Sequence, residues 1–190
     1  MAPFGFSPTL LASNLNKDLA NPVIIEDYDP RWPQQFEMLR SRIAAVLNEL
    51  AVCIEHVGST AVPGLAAKPV IDIDILLRSS SDLPLVIRRL AELGYQHRGD
   101  LGISGREAFR AKGQAVQHHL YVCPPESYEY KRHIAFRNYL REHAAEADDY
   151  ALLKRELARK FGSDREGYNQ AKNQFVQGIL LRTLAAQSHD

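Results

Sequence analysis

At 190 residues, with 23 Lys and Arg against 23 Asp and Glu, the chain is long enough to bury its own core without staples. It carries no net field that would draw it to nucleic acid or an acidic membrane. No apolar run approaches the roughly 20 residues that span a bilayer, and the N-terminus lacks the basic start and cleavage site of a signal peptide, so a cytoplasmic location is expected.

Residues 1–22 hold three prolines and no sustained period, which describes an irregular N-terminal arm ahead of a single domain over 23–190. From Pro30, RWPQQFEMLRSRIAAVLNEL places Phe36, Leu39, Ile43, Val46, Leu47 and Leu50 at helical spacing, an amphipathic helix that covers a sheet. VCIEHVG and VIDIDILL are short β-branched runs separated by GSTAVPGLAAKP, which reads as strand, phosphate-type loop, strand. SDLPLVIRRLAELG follows as a helix capped by Ser81 or Asp82 and ended by Gly94. YQHRGDLG, REAFRAKG and HHLYVCP are three further strand candidates, and helices are expected over 127–143, 146–161 and 164–187. Cys53 and Cys123 each lie in a strand-like run, where a thiol behaves as a small hydrophobe, so no disulfide framework is implied. The whole reads as an α/β protein of the α+β type, a mixed sheet with flanking helices and a C-terminal three-helix segment.

Alternation in VIDIDILL puts Asp72 and Asp74 on one face of their strand and Ile71, Ile73 and Ile75 on the other. At about 5 Å and an effective dielectric near 20, two such charges repel by roughly 3 kcal/mol. A divalent cation would relieve that repulsion, and all-oxygen ligation suits Mg²⁺ or Mn²⁺. Upstream, Gly58 lets backbone approach a ligand closely, while Ser59 and Thr60 open a short turn whose free N–H groups can face an anion. Lys68, just before the second strand, is counted with them as phosphate-binding.

HVGSTAVPGLAAKPVIDIDI resembles the signature of the GrpB family, a branch of the nucleotidyltransferase superfamily whose pattern is Gly-Ser followed by Asp-x-Asp. The resemblance runs from YDPRW through HHLYVCP and KRHIAFRNYLREH to YNQAKNQF. It implies the nucleotidyltransferase-like fold and, in active members of the superfamily, a third carboxylate on a neighbouring strand. The same family occurs as an accessory domain fused to dephospho-CoA kinase, which implies a protein-folding or regulatory role as the alternative to catalysis. In HHLYVCP no third carboxylate is present; if Leu120 and Val122 face the core, His119 faces the cleft as metal ligand or general base.

Projected at 100° per residue, Arg132 falls within the arc of Tyr128, Phe136, Tyr139 and Leu140. Lys154 falls between Tyr150, Leu157 and Phe161, and Lys172 among Tyr168, Phe175 and Ile179. One such cation snorkels; three on consecutive helices read as a basic wall against the carboxylate face, where phosphate oxygens would meet them. His56 either steadies the Gly-Ser turn or packs structurally, and Arg106 and Arg110 either reach substrate or decorate an exposed edge strand. The expected reaction is metal-dependent transfer of a nucleotidyl group from a nucleoside triphosphate to a small-molecule acceptor. The acceptor, the base and the oligomeric state are not written in the sequence.

Overall fold

The computed structural model describes residues 22–187, Lys112 excepted; the arm expected over 1–22 lies, but for its last residue, outside the described residues. The elements run α1 (Trp32–Leu47), β1 (Ala51–Val57), β2 (Ile71–Leu77), α2 (Leu83–Glu92), β3 (Tyr95–His97), β4 (Glu107–Ala111), β5 (His118–Cys123), α3 (Tyr128–Glu142), α4 (Ala144–Phe161) and α5 (Arg165–Gln187). The five strands form one mixed sheet in the order β1-β2-β5-β4-β3. The β2–β5 pair is parallel and the other pairs are antiparallel.

Period-two alternation sorts the sheet into two chemically different faces. Ile71, Ile73, Ile75 and Leu77 of β2, with Leu120 and Val122 of β5, join Leu39, Ile43 and Leu47 of α1 and Val86 and Leu90 of α2 in the main apolar cluster. The opposite face carries Asp72, Asp74, His119 and Tyr121 and is roofed by the C-terminal helices. Those helices own a second apolar cluster in which Phe136, Leu140, Tyr150 and Ile179 meet Val62 and Leu65 from the β1–β2 connection. The roof is thus anchored beside the polar face without filling it.

Two local expectations are corrected. Asp82 stands at the N-cap position of α2, but its side chain makes no capping bond; Ser79 Oγ instead accepts the Ser81 N–H at 3.3 Å, and a 3₁₀ turn over Ser80–Asp82 leads into the helix. Pro84 stands in the first turn of α2, and its missing N–H leaves one donor fewer to cap. Nor is β4 an edge strand, since it pairs with both β3 and β5; β1 and β3 hold the edges, and only Arg110 of the two arginines is exposed.

Candidate functional site

The site is built on the seam between β2 and β5, where the parallel register sets Asp72 opposite His119 and Asp74 opposite Tyr121. His119 Nδ1 donates to Asp72 Oδ1 at 2.9 Å. That hydrogen bond raises the histidine's pKa above its ordinary value against the opposing pull of burial. On the other side of β2, Gly58 adopts φ +72°, and a Cβ placed there would stand 2.3 Å from Asp72 Oδ2. The glycine is therefore required by the carboxylate itself, and the closely approaching group is a neighbour in the fold where the sequence suggested a ligand.

Asp74 is fully buried. Its Oδ2 accepts from His133 Nδ1 at 2.7 Å, while its Oδ1 has no hydrogen-bond partner. Burial raises its pKa, and the His133 hydrogen bond opposes the rise. The repulsion that seemed to demand a cation between the aspartates is thus offset differently: each carboxylate has its own imidazole. Among the described residues no three His, Cys, Asp or Glu side chains form a ready metal cluster. The roles of Asp72, Asp74 and His119 as metal ligands therefore belong to the proposal below.

His133 is the residue that sequence reasoning missed. It lies on α3 with Glu129 and Arg137 at four-residue spacing, a polar stripe laid over the polar sheet face. Arg137 Nη1 donates to Glu55 Oε2 at 2.6 Å and to the His56 carbonyl at 2.9 Å, stapling α3 to β1. Arg132 Nη1 donates to Glu129 Oε2 at 2.9 Å, and its Nη2 reaches Asn173 Oδ1 on α5 at 3.3 Å. In the sequence Arg132 stands out as a cation inside an apolar arc, whereas the polar stripe beside it carries no such mark.

Between sheet and roof lies a cavity of about 770 Å³. Lys68, Arg106, Arg132, Lys154, Arg165 and Lys172 line it, and Asp72 is the carboxylate among its described lining residues. Lys68 and Lys172 stand 4.6 and 5.6 Å from the centre of the Tyr168 ring. Lys154 stands 4.6 Å from that of Tyr150 and donates to the Ala66 carbonyl. Burial presses Lys154 down from 10.5 to about 7 and also lowers Lys68 and Lys172. Arg106 leans on the Tyr121 ring at 4.2 Å. Gly58, Ser59 and Thr60 line the same space, but the Thr60 hydroxyl is engaged elsewhere, with His56 Nε2 at 3.0 Å and the Val70 carbonyl at 3.3 Å. Only the backbone of Thr60 is left to serve an anion, because its side chain closes the turn.

His56 does both things the sequence allowed. It fixes the turn through Thr60 and stacks on Phe36 at 4.7 Å, 11° from parallel. Burial lowers it from 6.5 to about 4, with Arg141 and Arg137 adding to the effect and Asp72 opposing it. A histidine depressed on folding contributes stability that is present above 6.5 and lost as pH falls toward 4. Urea melts across that window should show wild type losing stability and His56→Gln following a flatter curve; equal slopes would remove His56 from the acid response.

The mixed five-stranded sheet with its flanking helices is a nucleotidyltransferase-like fold. The chain belongs to the GrpB protein family, whose model matches residues 22–182. It is 39% identical over 168 residues to a UPF0157 protein of Pseudomonas aeruginosa, covering 85% of this chain and 67% of that one. A dephospho-CoA kinase of Mycolicibacterium paratuberculosis is 38% identical over 77 residues, 39% of this chain and 19% of its own length. Among solved structures, the conserved protein GrpB of Enterococcus faecalis superposes with a TM-score of 0.77 at 34% identity, covering 86% of this chain and 99% of that one. Terminal uridylyl transferase 4 of Trypanosoma brucei, with bound dUTP, superposes at 0.52 and 12% identity over 82% of this chain and 55% of that one, a likeness of fold alone. No helix among the described residues is long and apolar enough to cross a membrane.

Proposed function

We propose that this cleft binds a nucleoside triphosphate with Mg²⁺ or Mn²⁺ and transfers its nucleotidyl group to a small-molecule acceptor. The observation that carries the reading is the concentration of six cationic side chains around one cavity whose described lining includes a single carboxylate. Lys154 is buried and Lys68, Arg106 and Lys172 are half-buried there; holding such like charge away from water is costly unless an anion compensates it, and phosphate oxygens match both arginine forks and lysine point charges.

The donor set fits a hard divalent ion: Asp72 opens to the cavity, and Asp74 Oδ1 is a buried acceptor without a partner. These two oxygens would hold it, which leaves the free Nε2 of His119 to serve as base rather than as a ligand. When bound, such an ion supplies charge neutralisation on the phosphate oxygens. The protein's own part is positional. Lys68, Lys154 and Lys172 would hold the β- and γ-phosphates, and Asp72 orients His119 so that Nε2 can take the acceptor's proton. The acceptor oxygen bonds to the α-phosphorus, the bond to the β-phosphate oxygen breaks, and pyrophosphate leaves.

A second reading, a nucleotide-binding accessory or regulatory module without turnover, is favoured by one observation: Asp74 is sealed beneath His133, and β5 brings no carboxylate to the seam. Calorimetry with ATP, GTP, CTP and UTP in the presence of metal tests binding, and pyrophosphate release in the presence of pooled acceptors separates the readings. Lys172→Ala and Arg132→Ala should each weaken binding by about 1–3 kcal/mol. Lys131→Ala, at an exposed ion pair with Glu126, should not. Equal losses in all three would reduce the effect to general charge.

A further inference from the structure

The cations around the cavity do not form one patch. Lys68 belongs to the β1–β2 connection, Lys154 is tied to Ala66 of the same connection, and Lys172 shares the Tyr168 ring with Lys68. All three therefore approach from the β1 side of the Asp72–His119 seam. Arg106 enters from the other side, immediately before β4, which lies beyond β5 in the sheet. Its guanidinium is braced on Tyr121, its Nε is buried without a hydrogen-bond partner, and among the described residues it takes part in no ion pair. The charge of Arg106 also bears on Asp74, His119 and Tyr121, which places it beside the reacting seam. Next to it, Ile103 lines the same cavity while remaining 38% exposed.

A planar guanidinium held over an aromatic ring has lost much of its rotational freedom, which suits its fork to capture of a phosphate or carboxylate. The donor's triphosphate is already provided for on the lysine side. In-line displacement puts the attacking group opposite the leaving pyrophosphate, and the side opposite the lysines is the one Arg106 occupies. From this, and resting on the transfer reading above, we infer that Arg106 forms a second anion subsite for the acceptor. The acceptor is a small molecule that carries a phosphate or carboxylate beside its attacking hydroxyl. Tyr121 acts as a positioning residue, through its contact with Arg106.

The test uses the whole chain saturated with Mg²⁺ and a non-hydrolysable ATP analogue, into which inorganic phosphate and, separately, acetate are titrated. Wild type should bind at least one of these anions with the analogue in place, and which one it binds separates the phosphorylated from the carboxylated acceptor. Arg106→Gln should weaken that anion at least about tenfold while analogue affinity stays within about twofold, and Arg106→Lys should restore part of it. Lys172→Ala should show the reverse pattern. Anion affinity unchanged in Arg106→Gln, or anions excluded from wild type by the analogue, would overturn the subsite. If the analogue itself fails to bind, the proposed function falls instead. The same titrations on nucleotide-free protein then decide the subsite: losses separable between Arg106→Gln and Lys172→Ala support it, and a loss confined to Lys172→Ala overturns it.

Discussion

Replacing Lys154 by methionine should make the protein more stable at pH 7 by about 2 kcal/mol while weakening phosphate binding. The side chain is 2% exposed, and its described contacts are the Ala66 carbonyl and the face of Tyr150, with no carboxylate in reach. A fall from 10.5 to about 7 means that at neutral pH the folded chain carries a cost of roughly 4 kcal/mol relative to an unburied lysine. Methionine keeps the length and apolar stem and removes that cost. It also orphans the Ala66 carbonyl, which returns about 1–3 kcal/mol. The sign of the pH dependence follows from a base whose pKa is lower in the folded state. As pH falls from 10.5 to 7 the unfolded chain gains a proton that the folded chain refuses, so wild type is less stable at 7 than at 9. The advantage of Lys154→Met should shrink by about 2 kcal/mol between pH 7 and pH 9. Urea melts at the two pH values check this, and a variant less stable than wild type at pH 7 would show that the ammonium is already compensated. A residue that costs stability where a neutral isostere would not is one retained for its charge.

How much of this was legible in the sequence depends on which period governs the residue. Along β2 and β5 side chains alternate strictly, so the shared face of Asp72, Asp74 and His119 follows from Ile71, Ile73, Ile75, Leu120 and Val122 packing inward, as they do. Resemblance to the GrpB signature supplied the fold, and the family match and the Enterococcus structure bear it out. What failed to show was anything decided by a partner distant in sequence. His133 answers Asp74 from 59 residues away, and Arg137 answers Glu55 from 82. A helix facing a polar sheet needs a polar stripe, and helical periodicity marks an inward face only where that face is apolar. The seat of Arg106 was undecidable for the same reason, since the sequence cannot say that β4 slots between β3 and β5.

The Gly-Ser turn makes the same point in an energetic form. Gly58→Ala should destabilise the fold by about 3 kcal/mol or more and displace the Asp72 carboxylate. Two costs combine: a backbone at φ +72°, ψ −169°, essentially reserved for glycine and worth roughly 1–3 kcal/mol for a residue with a Cβ, and a methyl carbon 2.3 Å from Asp72 Oδ2, a distance only movement can relieve. Strand β2 is held between β1 and β5 and the turn is pinned by Thr60 and His56, so the carboxylate must move, and its hydrogen bond to His119 goes with it. The two costs can be separated because only the second depends on Asp72. Asp72→Ala removes the colliding oxygens, so the substitution at Gly58 should cost about 1–3 kcal/mol in that background, from the backbone conformation alone. A double-mutant cycle by urea denaturation, read with the His119 titration by NMR, measures the coupling. Wild-type His119 should titrate above 6.5 and the Gly58→Ala variant closer to it, because the displaced carboxylate no longer accepts from Nδ1. Additive costs with an unmoved His119 titration would mean that the turn itself yields, and that Gly58 serves something other than the seat of Asp72.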